Sequence, residues 1–165
     1  MQDPNDDDWQ LVADVEIHAD WLREYVDRRL GQRQEWDCLP EHSRKWLREA
    51  DVLLVAVSED YGPVVVNYGR AVEELLRHVT ALDWNLNQFA RAFRKTPQFS
   101  KAYFADSFPL DRASQAVDVI NRLRNQSAHA GNMMNSHDAS KARQIIWGSP
   151  EPSADGLLSI LLKYR

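Results

Sequence analysis

Arg124, Asn125 and His129 fall within one nine-residue stretch, Leu123-Arg124-Asn125-Gln126-Ser127-Ala128-His129-Ala130-Gly131, and nowhere else does the chain concentrate so much chemistry. A guanidinium brings a permanent positive charge and forked donors, and an imidazole exchanges protons around an ordinary pKa of about 6.5. A carboxamide can orient either of them. Such a set suits holding an anion while a proton moves. On an ideal helix Asn125 and His129 lie about 40° apart, whereas the five steps from Arg124 to His129 turn the chain by about 140°. One copy of the stretch therefore presents an incomplete site. Arg124 can reach round with its long side chain, the helix can loosen near Gly131, or a second copy of the chain can complete the set. A structural reading stands beside these: a histidine in a last helical turn interacts favourably with the helix carbonyls, and an arginine there is simply solvated.

The elements that must position these residues are legible as helices. Ala113, Ala116, Val117, Ile120 and Leu123 recur at helical spacing and predict a long helix from near Leu110 to near Ala130. Upstream, Leu11, Val15, Leu22, Val26 and Leu30 predict a first helix from Trp9 to Leu30, with Gly31 as a left-handed stop. Residues 32–40 break the periodicity. Trp46, Leu47, Ala50, Leu53, Leu54 and Val57 then mark a second helix that ends before Gly62-Pro63. Pro63 suits a first turn, and the broad stripe Val64, Tyr68, Ala71, Val72, Leu75, Leu76 and Val79 predicts a third helix at the centre of the core. Arg70, Glu73 and Glu74 lie close to that stripe, so at least one of them needs a partner. The pattern continues weakly through Trp84, Leu86, Phe89 and Phe93 to Thr96-Pro97, as a continuation of that helix or as a separate short one. Between Pro97 and Pro109 a loop is expected whose Phe99, Tyr103, Phe104 and Phe108 either stack on bases or, as aromatics more often do, close the core. A helix over Ala139 to Trp147, capped by Ser136 or Asp138, and a last one over Leu157 to Tyr164 follow. No alternating strand pattern appears. The expected fold is all-α, a single up-down bundle of about five or six helices over residues 9–165, preceded by an acidic, disordered tail over residues 1–8.

Composition narrows the function classes. The 165 residues are 44% hydrophobic and carry a net charge of −5, unevenly placed. Residues 1–60 hold 7 basic and 16 acidic side chains, whereas residues 85–130 hold 7 basic and 3 acidic, so any surface that attracts phosphate lies in the latter region. A lone Cys38 forms no internal disulfide, and no leader or membrane-length apolar run appears, which points to a soluble, cytoplasmic chain with no membrane association. Phosphate-cradling glycine loops, zinc spacings and calcium loops are missing, and His18, His42, His78 and His137 are scattered. Neither a metal nor another cofactor is expected.

The segment from Leu123 to His129 resembles the signature of HEPN domains, an arginine followed by a polar residue and, after four to six residues, a histidine. Here the spacing is four and the polar residue is Asn125. Tyr61-Gly62-Pro63 followed by Tyr68-Gly69-Arg70-Ala71-Val72-Glu73 is similar to a helix of some bacterial HEPN-like proteins, in which a basic residue and a glutamate flank an apolar pair. The likeness spans roughly residues 45–162. It implies metal-independent cleavage of RNA by a homodimer whose two motifs meet in one cleft, leaving 2′,3′-cyclic phosphate ends, as in toxins or antiviral effectors. Arg124 would stabilise the phosphate, His129 would move protons, and Asn125 would orient His129 or the phosphate. Glu73 is a secondary candidate that meets Arg124 or Arg70 across the bundle, so that Glu73 and Arg70 either support the site or Glu73 forms a structural ion pair. The family also contains non-catalytic modules, which dimerise or bind RNA, an antitoxin, a nucleotidyltransferase or a larger assembly. A nucleotide-binding or adenylylation-target role beside such a transferase is a third, weaker implication.

Overall fold

The computed structural model describes residues 20–56, 59–129, 133–149 and 154–165. The acidic stretch 1–8 and the first half of the expected first helix lie outside them. What is described is all-α: eight helices and a 3₁₀ turn, joined by one two-residue antiparallel pair. The helices are α1 (residues 20–30), α2 (Glu41–Ala56), α3 (Gly62–Thr80), α4 (Leu86–Lys95), α5 (Pro97–Tyr103), α6 (Leu110–Ser127), α7 (Ser136–Trp147) and α8 (Leu157–Lys163).

Helix α3 is the axis of the bundle and packs against α2, α4, α6, α7 and α8. Its stripe explains why: Val64, Tyr68, Ala71, Val72, Leu75 and Leu76 are completely buried, as is Val65 beside them, and Val79 is partly buried. Each large apolar side chain removed from water in this way contributes about 1.5–3 kcal/mol. Pro63 sits in the first turn, as its spacing predicts.

The helix count exceeds the expected five or six because two local signals cut the chain further. Ala81 ends α3 in the left-handed region, at φ 55°, so Trp84 to Phe93 cannot continue it; α4 starts afresh on a reciprocal Asn85–Gln88 capping box. The expected loop after Pro97 is a short helix for its first seven residues, because a proline in the first turn starts α5 directly behind Thr96, whose φ of −128° and ψ of 84° lie outside helical geometry. The aromatics pack as expected: Phe93, Phe99, Phe104 and Phe108 are buried, and the Phe104 and Phe108 rings stack with centroids 4.2 Å apart.

Three smaller expectations are corrected. Gly31 follows α1 but is not left-handed, since Gly148 alone among the described glycines has positive φ. The chain instead carries on in right-handed turns, Arg33 N–H to Leu30 O and Trp36 N–H to Arg33 O, which bring Trp36 of the 3₁₀ turn into the core. The cap of α7 is Asn135 rather than Ser136 or Asp138, with Asp138 as the reciprocal partner. Gly148 and Ser149 pair with Asp155 and Ala154, a contact too short to show any alternation. Gly156 follows that pair, and a Cβ there would fall 2.3 Å from the Ile146 carbonyl oxygen, so only glycine admits this approach of two backbones.

A buried ionic cluster lies in the seam of α2, α3 and α7. The Tyr68 hydroxyl donates to Asp51 Oδ1 and Arg143 Nη2 donates to Asp51 Oδ2 at 3.2 Å. Burial and the neighbouring Asp51 carboxylate raise the Tyr68 phenol well above its ordinary value.

Candidate functional site

Helix α6 ends three residues short of the expected Ala130, and it ends by tightening. The Ala128 N–H is shared between the carbonyls of Arg124 and Asn125, each at 3.2 Å, and the His129 N–H donates to Gln126 O at 3.3 Å. The Ser127 hydroxyl takes the Arg124 carbonyl as well, at 2.7 Å. A 3₁₀-type step turns the chain by about 120° rather than about 100°, so the last two steps carry His129 further round from Arg124 than an ideal helix would. Loosening of the helix is therefore not the means by which the two side chains approach. Ala130 and Gly131 lie outside the described residues.

Arg124 turns inward. Its Nη1 donates to Glu73 Oε2 on α3 at 2.6 Å, and the same carboxylate oxygen accepts the Leu86 N–H, the first amide of α4, at 2.8 Å. Glu73 Oε1 meets Arg77 Nη2 at 3.3 Å, and Arg77 Nε in turn holds the Trp84 carbonyl at 2.8 Å. A buried carboxylate is thus matched by two guanidinium groups and the positive end of a helix, which is what makes its burial tolerable. Glu73 meets Arg124, as the sequence leaves open, and not Arg70. Gly69 makes room for this arrangement: a Cβ there would lie 2.9 Å from Arg124 Cδ and 3.4 Å from its Cβ and Cγ.

The guanidinium borders an open groove of about 420 Å³ between α3, α4 and α6, a volume typical of small-molecule sites. Arg70, Asn85, Asn87, Asn121, Arg124 and Asn125 contribute its polar lining. Asn125 is exposed on the rim. Arg70 is also exposed, its guanidinium 4.6 Å over the Trp46 ring, and it separates this groove from a second depression beside Pro63 and Ser127. His129 is exposed beyond the helix end and does not line the groove, although its neighbour Ala128 does. One chain therefore brings together Arg124, Asn125, Arg70 and, beneath them, Glu73. It leaves His129 outside.

Sequence reasoning missed Asn121, Asn87, Asn85 and Gly69. Asn121 was within reach, because residues 121, 124, 125 and 128 share one face of α6. Asn85 and Asn87 come from a different helix, and only the fold joins them.

The basic residues of 85–130 do not form one surface. Arg94 and Arg122 both pair with Asp118, and Arg112 donates to the Asp155 carbonyl. Arg112 and Arg122 border a different depression of about 490 Å³, on the side of α6 away from Arg124, with Val119, Ile145 and Ile160 in its floor. Among the described residues no three His, Cys, Asp or Glu side chains gather to hold a metal ion, and no helix is long and apolar enough to cross a membrane. Comparison of the chain with protein-family models, with curated proteins and with solved structures gives no match. Fold and groove define an all-α bundle with an arginine-and-carboxamide site near the C-terminal end of α6, and function must be argued from that site.

Proposed function

We propose that the chain is a metal-independent endoribonuclease of HEPN type, cytoplasmic and active as a homodimer. The observation that carries the reading is the Arg124 guanidinium, oriented by Glu73 over the small Gly69 and bordering a polar groove while its Nε and Nη2 hold no hydrogen bond among the described residues. A fixed, partly free guanidinium suits a phosphodiester that gains charge in its transition state. In the reaction an RNA 2′-hydroxyl attacks the adjacent phosphorus and the bond to the 5′ oxygen breaks. One histidine removes the 2′ proton and another protonates the leaving oxygen, giving a 2′,3′-cyclic phosphate and a 5′-hydroxyl. Two copies of His129 supply these roles across a two-fold axis, which also accounts for its place outside the groove of its own chain.

The test is cleavage of RNA by the full chain in EDTA, with the product ends identified. Cyclic phosphate products that vanish in Arg124→Ala and in His129→Ala support the proposal. Cutting that persists in both variants, or that needs magnesium, overturns it.

A second reading is favoured by one observation, that a single chain keeps His129 apart from Arg124 and ties Arg124 to Glu73. On that reading the chain is a non-catalytic module that binds RNA or a partner such as an antitoxin or a nucleotidyltransferase within a larger assembly. Dimers that bind RNA and never cut it would establish it.

A further inference from the structure

Two asparagines in the groove have chemistry that phosphate binding does not use. Asn121 on α6 is buried, and its Nδ2 donates to Asn87 Oδ1 near the start of α4 at 3.2 Å. That bond consumes one donor and one acceptor. It leaves an acceptor on one carboxamide and an amino group on the other, and neither has a hydrogen-bond partner among the described residues. The result stands whichever way the two amides are turned. Asn85 differs, because its side chain is committed to the cap of α4. An adjacent donor and acceptor is the pattern that the edge of a nucleobase presents, and paired carboxamide contacts of this kind discriminate between bases. Asn121 also lies three residues before Arg124, roughly 5 Å along the helix axis, which is of the order of the distance between a phosphate and the base of the same nucleotide.

We infer that Asn87 and Asn121 form a nucleobase subsite, which places a base against α4 and α6 while its phosphate meets Arg124. The inference rests on the RNA reading in so far as the base belongs to the nucleotide at the cut. It extends that reading by assigning base preference to two residues outside the motif.

Two measurements on the full chain test it. In the first, an RNA with a randomised segment is cleaved and the cut positions are sequenced. The expectation is a preference of about tenfold for one base at one position beside the cut, falling to within about twofold in Asn87→Ala. Asn87 is exposed, so this variant folds even if the companion Asn121→Asp does not. In the second, AMP, GMP, CMP, UMP and ribose 5-phosphate are compared by equilibrium dialysis. At least one nucleotide is expected to bind more tightly than ribose 5-phosphate, and Asn87→Ala to remove the difference. Equal binding of all five, or a cutting preference that Asn87→Ala leaves in place, overturns the subsite while the nuclease reading stands. Binding that depends on the base and on Asn87, with no cleavage of any RNA, supports the subsite and removes the nuclease reading.

Discussion

Helix α3 presents a carboxylate–arginine arrangement on each of two sides, and the two differ in what surrounds them. On one side its Tyr68 and the Arg143 of α7 close on Asp51, whose side chain is 9% exposed, within the core between helices. On the other its own Glu73, 10% exposed, receives Arg77, the first amide of α4, and an Arg124 that is 27% exposed and borders a groove. The carboxylates are equally buried, and so are their arginines, Arg143 at 26% and Arg124 at 27% exposed. The surroundings differ. Asp51 takes a phenol and one guanidinium in the seam of α2, α3 and α7, whereas Glu73 takes two guanidinium groups and the first amide of α4, and its Arg124 lines a groove together with Arg70 and four asparagines. Burial of a pair thus says little about its purpose, and the polar groove beside Arg124 is what marks the second arrangement as a candidate site.

The largest effect that follows is in the seam. Asp51→Ala leaves the fully buried Tyr68 hydroxyl without its charged acceptor and the partly exposed Arg143 without its counter-charge, and a cost of about 3 kcal/mol is expected in urea unfolding. Glu73→Ala is expected to cost less, about 1–3 kcal/mol, because Arg124 and Arg77 can turn toward water at the groove while only the Leu86 amide is stranded. Its effect on RNA cleavage should exceed what lost stability explains, seen as a drop in kcat at a temperature where the variant is fully folded. Equal unfolding costs for the two variants, with no separate loss of cleavage, would erase the distinction between them.

This contrast also marks what a sequence can disclose. The α3 stripe was legible because its buried positions repeat on one face, and the α6 end because the chemistry-bearing residues are neighbours in the chain. That at least one of Arg70, Glu73 and Glu74 needs a partner followed from their place beside apolar positions, yet the pairing of Glu73 with Arg124 rather than Arg70 did not. Fifty-one residues separate Glu73 from Arg124, and the preference depends on Gly69 leaving space for the arginine stem while Trp46 holds Arg70. Asp51 with Tyr68, and Asn87 with Asn121, escaped notice for the same reason: each pair joins residues of different helices whose relative rotation no local pattern records. Helix α5 is hidden for a different reason: it is seven residues long, too short for the aromatics from Phe99 to Phe108 to show a helical period, and Pro97 alone marks the start of its first turn.

Gly69→Ala probes the groove side without touching any charge. Alanine favours a helix interior by about 1 kcal/mol over glycine, but its methyl group would overlap Arg124 Cδ, and such overpacking costs about 1–3 kcal/mol. Net stability should therefore fall by no more than about 2 kcal/mol. The arginine stem must shift, and its guanidinium with it, so cleavage is expected to fall by about tenfold or more, since small displacements of a positioned charge are costly in catalysis. Unchanged cleavage in this variant would mean that Arg124 tolerates another placement, and the groove would lose its claim to be an oriented site.

The smallest effect separates the two sides by pH. Burial first, and then the Asp51 carboxylate, hold the Tyr68 phenol neutral well above its ordinary range, so the folded chain keeps a proton that the unfolded chain gives up. The stability that this supplies is complete below about pH 10, where an unfolded tyrosine is still protonated, and is lost as the pH rises through that value toward the raised one. Tyr68→Phe removes a hydrogen bond to a charged acceptor, a cost of about 1.5–3 kcal/mol at pH 7. At about pH 11 the gap to the unsubstituted chain should narrow, because a phenyl ring at this position has no proton to lose and the native phenol does. Since Glu73 has no phenol beside it, Glu73→Ala should show no such narrowing across the same interval, and a parallel narrowing there would place the alkaline response outside the Asp51 seam.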